Sequence, residues 1–248
     1  MTLRHFAAAA GVLLLSGVAH AAELKVLSTQ ATEQAYKELV PQFEKATGHK
    51  VATVFTCTLD ADKRLAAGES YDMLIMSSGS IDGHIKEGKV VAGSRVDLAK
   101  SGVAAGVKAG SPKPDISSVE ALKKTILSAK SIGYSTGPSG VYIVSLFEKL
   151  GMADAVKPKL KQTPTGVFVG SIIASGEVDI GFQQVSELSH FAGVDYVGPL
   201  PEAVQRYTVF SSGLAAGAKE TEAAKALVKF LTAPAAAQAF KKQGMEPG

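Results

Sequence analysis

Four short turns, rich in serine, threonine and glycine, contain the residues of this sequence best suited to bind a ligand. They occupy residues 28–32, 56–58, 135–140 and 163–166, and each comes directly before or at the start of a segment with helical periodicity. The first N–H groups of a helix lack partners within it and carry partial positive charge, so a helix start suits an anion. A serine or threonine there is also an ordinary helix cap. Together, the four turns predict an anion site built from neutral donors.

Residues suited to covalent or metal catalysis are sparse. The histidines beyond the first twenty residues, His49, His84 and His190, are far apart and lack metal-ligand spacing. The sequence has no Gly-x-Ser-x-Gly motif, and no histidine is obviously placed to activate Cys57. We therefore expect a protein that is not an enzyme and that holds no metal or cofactor. An exported enzyme that uses Cys57 or Ser139 as its nucleophile is the alternative.

The first 21 residues have the pattern of a removable export signal. Arg4 begins a short positive start, residues 6–18 are apolar or small, and Ala19-His20-Ala21 fits the small-x-small cleavage pattern. The apolar run is shorter than the roughly 18 to 20 residues of a spanning helix. The mature chain is predicted to begin at Ala22, which is not a cysteine and so cannot carry a lipid. We expect a periplasmic protein without an anchor.

Composition limits the classes of partner. The 248 residues include 26 Lys+Arg and 23 Asp+Glu, a formal charge of +3, and the basic residues are scattered. This balance does not favour nucleic acid as a partner. Cys57 is the single cysteine, so no internal disulfide can form. The 25 glycines and the absence of tryptophan favour a compact α/β scaffold, which we expect to be a monomer.

Short apolar runs alternate with helical segments along the chain, which predicts an α/β fold with helix-covered sheets. The first set has strands at 24–27, 51–55 and 72–76 with helices at 32–47 and 60–67. A second set has helices at 119–127, 140–150 and 166–175 with strands at 131–134 and 178–183. A strand at 207–214 then precedes helices at 220–231 and 234–243, which could return to cap the first set.

The small and Gly/Pro-rich segment 102–114 separates the two sets and indicates a linker. We predict two lobes: lobe I from residues 22–105 plus 206–248, and lobe II from residues 106–205. The chain would cross between them near 102–110 and 205–207, and these segments would act as hinges. A single doubly wound domain of six to eight strands is the alternative.

Several runs of the sequence resemble the periplasmic solute-binding proteins of the molybdate-binding type, which serve ABC importers. Residues 138–142 (PSGVY) open a helix that ends at Leu150-Gly151, as a Pro-Ala-Gly-Ile-Tyr run does in that family. Residues 174–188 are similar to its Gly-Glu-Ala-x-x-Gly-x-x-Tyr-x-Ser-Asp-Ala run. Residues 66–75 and the final helix pair are also similar. The resemblance implies a two-lobed type II periplasmic-binding-protein fold, with mixed sheets flanked by helices, and an ABC permease as partner.

The resemblance also implies a set of ligand contacts. The family's first anion-binding serine falls at or beside Ala31, its second lies in the turn at Thr56-Cys57-Thr58, and its ligand-contacting tyrosine falls on Gln184. The implied ligand-binding residues are Ser28, Thr29, Ala31, Thr32, Thr56, Cys57, Thr58, Ser139, Gly140, Gly166, Val167 and Gln184.

Three readings of the ligand and its use follow from the resemblance and the residues. The first is a small oxyanion such as molybdate or tungstate, bound by neutral donors and passed to a permease. The second is a small organic polycarboxylate, which would need a guanidinium from Arg64, Arg95 or Arg206. The third is a ligand-sensing domain that reports to a membrane receptor through the same cleft.

Overall fold

The computed structural model describes residues 21–248. The predicted export signal, residues 1–21, lies outside this range except for its last residue, so the structure adds nothing on its cleavage. Within residues 21–248, every helix is too short or too polar to cross a bilayer.

Ten strands and ten helices make up the described part of the chain. The strands are β1 (Glu23–Thr29), β2 (Lys50–Thr56), β3 (Met73–Ser77), β4 (Val96–Lys108), β5 (Ile132–Tyr134), β6 (Leu160–Gln162), β7 (Ile180–Gln184), β8 (Val194–Pro199), β9 (Tyr207–Leu214) and β10 (Glu246–Pro247). The helices are α1 (Glu33–Thr47), α2 (Thr58–Ala66), α3 (Ser78–Lys86), α4 (Val119–Ser128), α5 (Pro138–Lys149), α6 (Ala153–Val156), α7 (Val169–Ala174), α8 (Val185–Leu188), α9 (Thr221–Leu231) and α10 (Pro234–Lys242).

The strands form one continuous mixed sheet. Its order is β2-β1-β3-β9-β4-β7-β5-β6, with β8 and β10 also paired to β4. The pairs of β1 with β2 and β3, and of β5 with β6 and β7, are parallel, whereas β9 and β4 run antiparallel to their neighbours. The α/β fold with mixed sheets and flanking helices is confirmed.

Strand β4 connects the two ends of this sheet. Its residues 96–102 pair with β9, and its residues 103–108 pair with β7 and β8. The prediction of a linker from residue 102 is therefore wrong for residues 102–108, which are part of the strand. Close packing favours glycine at two positions of this part of β4, because a Cβ on Gly106 would lie 2.8 Å from Cγ1 of Val194 and one on Gly102 would lie 3.0 Å from Nε2 of Gln205.

The buried side chains fall into two regions, one on each side of β4. In the first, Phe43 of α1 packs with Leu227 of α9 and Phe240 of α10, so the two C-terminal helices cover the same side of the sheet as α1. In the second, Phe147 of α5 packs with Phe182 of β7. The helices are amphipathic and bury their apolar faces on the sheet. The lobe boundaries given above stay a prediction.

Candidate functional site

All four of the predicted turns, together with the end of β7, line a small, partly enclosed cavity of about 20 Å³, here called the central cavity. It has room for about one water molecule. Its walls come from both buried regions, since β1 and α2 contribute one side and α5 and β7 the other. The lining residues are Thr29, Gln30, Ala31, Cys57, Thr58, Ser135, Thr136, Gly137, Pro138, Ser139, Gly166, Val167, Gln183, Gln184, Glu187 and Phe210.

The turn after β1 places Thr29 and Ala31 at the cavity but keeps two predicted hydroxyls out of it. The hydroxyls of Ser28 and Thr32 lie 3.0 Å apart, and Thr32 also donates to the carbonyl of Thr29 at 3.1 Å. Ser28 and Thr32 are each 1% exposed and do not line the cavity. Their side chains stabilise the turn locally, as serine and threonine often do before a helix.

The turn after β2 brings Cys57 and Thr58 to the cavity at the start of α2. Cys57 is the residue that precedes the helix, and its side chain forms no capping hydrogen bond. Thr56 instead donates its hydroxyl to Asp60 at 2.7 Å, and the same carboxylate oxygen accepts from Arg64 at 2.7 Å. These hydrogen bonds hold the pKa of Asp60 below its usual value. Thr56 is thus directed away from the cavity.

The turn before α5 folds back tightly on its own helix. Gly137 precedes the helix and donates its N–H to the hydroxyl of Ser135 at 3.2 Å. The same Ser135 hydroxyl lies 3.4 Å from the hydroxyl of Ser139. A Cβ on Gly140 would lie 1.8 Å from the carbonyl oxygen of Ser135, so only glycine fits. Ser139 lines the cavity, whereas Gly140 shapes the turn behind it.

The fourth predicted turn contributes Gly166 and Val167, but as a loop and not as a helix start. The predicted helix 166–175 is wrong at its beginning, since α7 starts at Val169 and Gly166 has a φ of +80°. That left-handed conformation suits glycine. Two hydrogen bonds close the cavity between its walls: Gln30 donates to the carbonyl of Gly166 at 2.9 Å, and Thr136 donates to the sulfur of Cys57 at 3.7 Å.

Gln184 borders the cavity, yet its amide is bonded to the strands that connect the two regions. With the amide nitrogen facing carbonyls, Gln184 donates to Ser101 at 2.9 Å and to Gly102 at 3.2 Å, and its oxygen accepts from the Thr208 hydroxyl at 3.0 Å. The neighbouring Gln205 likewise bridges these strands by bonding both the N–H and the carbonyl of Val103, at 2.8 and 3.0 Å. Gln184 therefore couples the cavity wall to the connecting strands.

Glu187 is a cavity residue that we did not predict. It lies on α8, three residues after β7 ends, and is partly buried. Removal from water raises its pKa to about 7, although hydrogen bonds from the Gln184 N–H and the Gln183 side chain act in the opposite direction. The sequence did hold a signal, because this position matches the Asp of the family's Tyr-x-Ser-Asp-Ala run.

The three arginines considered as partners of a polycarboxylate lie outside the central cavity. Arg64 is bonded to Asp60 and Glu69, and Arg95 to Asp82 and Asp97. Arg206 is exposed and borders an open groove of about 620 Å³ outside the central cavity. This outer groove is lined by Thr58, Leu59, Asp62, Ser77, Ser78, Gly79, Thr136, Gly137, Pro138, Val141, Tyr142, Ser145, Lys149, Arg206, Tyr207, Thr208 and Val209. Within residues 21–248, no Lys, Arg or His lines the central cavity.

Within residues 21–248, no three His, Cys, Asp or Glu side chains are grouped so as to hold a metal ion. What the central cavity offers is a set of helix-start N–H groups, hydroxyls and amides from several segments, with one carboxylate among them. Such an arrangement can surround a small polar or negatively charged ligand.

Comparison with known proteins assigns the chain to a family. A family model described as bacterial extracellular solute-binding protein matches residues 24–246. A protein named aconitate isomerase from Pseudomonas sp is 36% identical over 230 residues, 90% of this chain and 87% of the relative. The molybdate-binding protein ModA of Azotobacter vinelandii is 30% identical over 251 residues, 98% of this chain and 97% of that protein.

A solved structure agrees with this assignment at the level of the fold. The periplasmic molybdate-binding protein of Azotobacter vinelandii superposes with a TM-score of 0.77 at 20% identity, covering 91% of this chain and 99% of that one. The chain belongs to the bacterial extracellular solute-binding protein family and is a ModA-like periplasmic solute-binding protein.

Proposed function

We propose that this protein is the solute-binding component of an ABC importer and that it captures a small oxyanion, such as molybdate or tungstate, in the central cavity. The observation that supports the proposal most strongly is that helix-start turns from both sides of β4 meet at one small, partly enclosed space, which no basic side chain of residues 21–248 lines. Thr29, Ala31, Cys57, Thr58, Ser139, Gly166, Val167 and Gln184 are the proposed ligand contacts among the residues named from the sequence.

The donor count supports a compact anion. Enclosing an unpaired charge is very unfavourable, whereas each hydrogen bond to a charged group contributes about 1.5 to 3 kcal/mol. About five to seven neutral donors would therefore give micromolar or tighter binding, about −8 kcal/mol. The other four residues named from the sequence contribute to this site indirectly, because they stabilise the turns that position the donors. They are Ser28, Thr32, Thr56 and Gly140.

Capture requires the cavity to open, and we propose that the two lobes separate by bending of the two connecting segments near 102–110 and 205–207. The bonds from Gln30 to Gly166 and from Thr136 to Cys57 would break on opening and re-form around the ligand. Gln205 and Gln184 link the connecting segments and would limit how far they bend. Hinge closure of this kind excludes water from the ligand.

The family assignment supports a place outside the inner membrane and a permease as partner. We propose that residues 1–21 are removed before Ala22 and that the mature monomer works in the periplasm. The loaded protein would deliver its anion to an ABC permease.

An organic polycarboxylate is the alternative ligand. It is favoured by the relative named aconitate isomerase and by the outer groove, which shares Thr58 and residues 136–138 with the central cavity. One carboxylate could occupy the cavity while the remainder of the molecule extends toward Arg206 and Lys149 in the groove. A guanidinium suits a carboxylate well because it can bind both oxygens.

A thermal-shift titration decides between these ligands. Molybdate, tungstate, sulfate, phosphate and a panel of di- and tricarboxylates would be added to the mature protein, with a neutral sugar and a cationic amino acid as controls. A ligand that binds only the folded protein raises the melting temperature with its concentration. Stabilisation by molybdate, tungstate or another oxyanion supports the proposed capture of an oxyanion. Stabilisation only by the sugar or the amino acid would defeat anion binding altogether.

The 36% identical relative also favours a second function, an isomerase that acts on aconitate in the same cavity. Glu187 is the carboxylate there that could take a proton from a bound carbon acid and return it at another carbon. The test is to incubate trans-aconitate with the protein and follow it by proton NMR. Appearance of the cis isomer would establish the enzyme, while unchanged substrate in the presence of tight binding would leave transport as the function.

A further inference from the structure

The central cavity contains a carboxylate where an anion is proposed to bind. We propose that Glu187 and the captured anion share one proton, so that anion binding takes up a proton from solution at neutral pH and above. This inference rests on the proposed anion binding and adds its regulation by pH.

The position of Glu187 leads to this conclusion. Glu187 lines the central cavity together with the Thr29–Ala31 turn and the starts of α2 and α5, where the anion would lie, and its carboxylate bonds to two further lining residues, Gln183 and Gln184. No Lys, Arg or His of residues 21–248 lines that cavity. Two negative charges would therefore share a small space whose other polar groups are neutral dipoles. Like charges in one site favour protonation of one of them.

Charged groups around Glu187 do not offset its charge. Glu33, at the start of α1, faces it and favours its protonated form, and Lys37 is bonded to Glu33. On the side away from the cavity, Glu187 borders a second groove with His190 and Lys242. Lys242 is paired with Glu38 at 3.0 Å, and a ring nitrogen of His190 lies 3.0 Å from the Lys242 carbonyl. The two lysines are therefore each paired with another carboxylate, Lys37 with Glu33 and Lys242 with Glu38.

The protonation of the free protein supports the same conclusion. Burial raises the pKa of Glu187 to about 7, so the carboxyl exchanges its proton near neutral pH before any ligand arrives. An anion beside it raises this pKa further. The carboxylic acid then donates an O–H to an oxygen of the anion, or an acidic hydroxyl of the anion donates to the carboxylate. Both arrangements contain the same number of protons.

Isothermal titration calorimetry tests the proposal with molybdate in one arm and cis-aconitate in a second arm. Between about pH 7.5 and pH 9, where both anions are fully ionised, the affinity of the wild type should fall about tenfold per pH unit. At about pH 8, the binding enthalpy measured in buffers of different ionisation enthalpy should report the uptake of about one proton per anion.

Glu187→Gln is the matched variant, because an amide keeps the shape and a hydrogen-bond donor but cannot titrate. We expect it to bind with an affinity that does not change over this pH range and without proton uptake. Glu222→Gln, at an exposed carboxylate on α9, should retain the wild-type pH dependence.

The outcomes separate the two proposals. Binding of either anion with a flat pH profile and no proton uptake by the wild type would overturn this inference and leave anion capture in place. Failure of both anions to bind at any pH would overturn the oxyanion proposal and this inference together. Because proton uptake is measured on the wild type, the result does not depend on how well the variant folds.

Discussion

The central cavity and the outer groove share a wall but differ in the kind of polar group that they contain. Both are bordered by Thr58 and by residues 136–138. The cavity, about 20 Å³, is lined by neutral donors and one carboxylate, whereas the groove, about 620 Å³, contains Arg206, Lys149 and Asp62. Access to water explains the difference. A solvated cation is stable in an open groove, but an enclosed one must find a partner or lose its charge.

The difference in access to water also implies that the cavity is more sensitive to substitution than the groove. In the cavity, each donor is fixed by a tight turn, so a displacement of a fraction of an ångström changes the hydrogen bonds to a ligand. In the groove, side chains are exposed and water replaces lost contacts. The following substitutions test whether this contrast holds, beginning with the largest expected effect.

Gly140→Ala should have the largest effect because its Cβ would lie 1.8 Å from the Ser135 carbonyl oxygen. The turn that lines the cavity would have to move. We expect a loss of about 2 to 4 kcal/mol in the free energy of unfolding. Urea denaturation measures the stability, and calorimetry with molybdate should show an affinity at least about a hundredfold weaker.

Gly83→Ala is the control for this prediction. Gly83 lies in α3, whose first residues border the outer groove, and a Cβ there would meet no atom within 4 Å. Alanine in a helix interior is preferred over glycine by about 1 kcal/mol. The variant should be as stable as the wild type or more stable. Equal stability of the Gly140→Ala and Gly83→Ala variants would contradict the expectation that the cavity tolerates substitution less well than the groove.

Glu187→Gln should stabilise the protein without anion at alkaline pH. The pKa of Glu187 is about 7 in the folded protein and 4.5 as a reference for the unfolded chain, so folding favours the protonated form. The wild type therefore loses stability as pH rises from the unfolded pKa through the folded pKa. We expect the variant to exceed the wild type by about 1 to 3 kcal/mol at pH 8 and by little at pH 5.

Urea unfolding at both pH values checks this, with Glu222→Gln as the control at an exposed carboxylate. A difference between Glu187→Gln and the wild type that is the same at both pH values would mean that Glu187 is not strained by burial. The cavity would then not disfavour a charged side chain, and the proposed contrast with the solvated groove would be wrong.

Thr58→Val should weaken molybdate binding several-fold, about 1 kcal/mol, because it removes a hydroxyl at the cavity and keeps the shape. Its stability should stay within about 0.5 kcal/mol of the wild type, since Thr58 is only partly buried. Ser145→Ala, which removes a hydroxyl from the outer groove, should leave the affinity unchanged. Equal losses in the two variants would show that the anion occupies both places.

The sequence predicted the turns of the cavity better than the orientation of their side chains. Strand–turn–helix order was visible at residues 56–58 and 135–140, and convergence followed from the geometry of α/β sheets. However, Ser28 and Thr56 were also expected at the ligand, and their hydroxyls bond within their own segments. Residue type indicates that a hydroxyl is present, but competition between local partners decides where it points.

Two features of the structure could not be predicted from the sequence because they depend on tertiary packing: the extent of strand β4 and the position of Glu187 at the cavity. The small residues of β4 lack the apolar alternation of a typical strand. The two glycines among them are explained by close tertiary neighbours, Gln205 beside Gly102 and Val194 beside Gly106. An acidic residue in the first turn of a helix usually faces solvent and the helix dipole. That Glu187 instead borders the cavity depends on how α8 packs beside the turn at residues 30–32.

Arg206→Gln should have the smallest effect on oxyanion binding, less than about twofold, because the side chain is exposed and water and salt screen its charge. With a tricarboxylate that reaches the outer groove, the same variant should bind several-fold more weakly at low salt and nearly equally at high salt. Calorimetry with molybdate and with cis-aconitate at two ionic strengths measures both. A tenfold loss for molybdate would place Arg206 in the anion site itself, and the distinction between a cavity without a basic side chain and a groove that contains basic side chains would then fail.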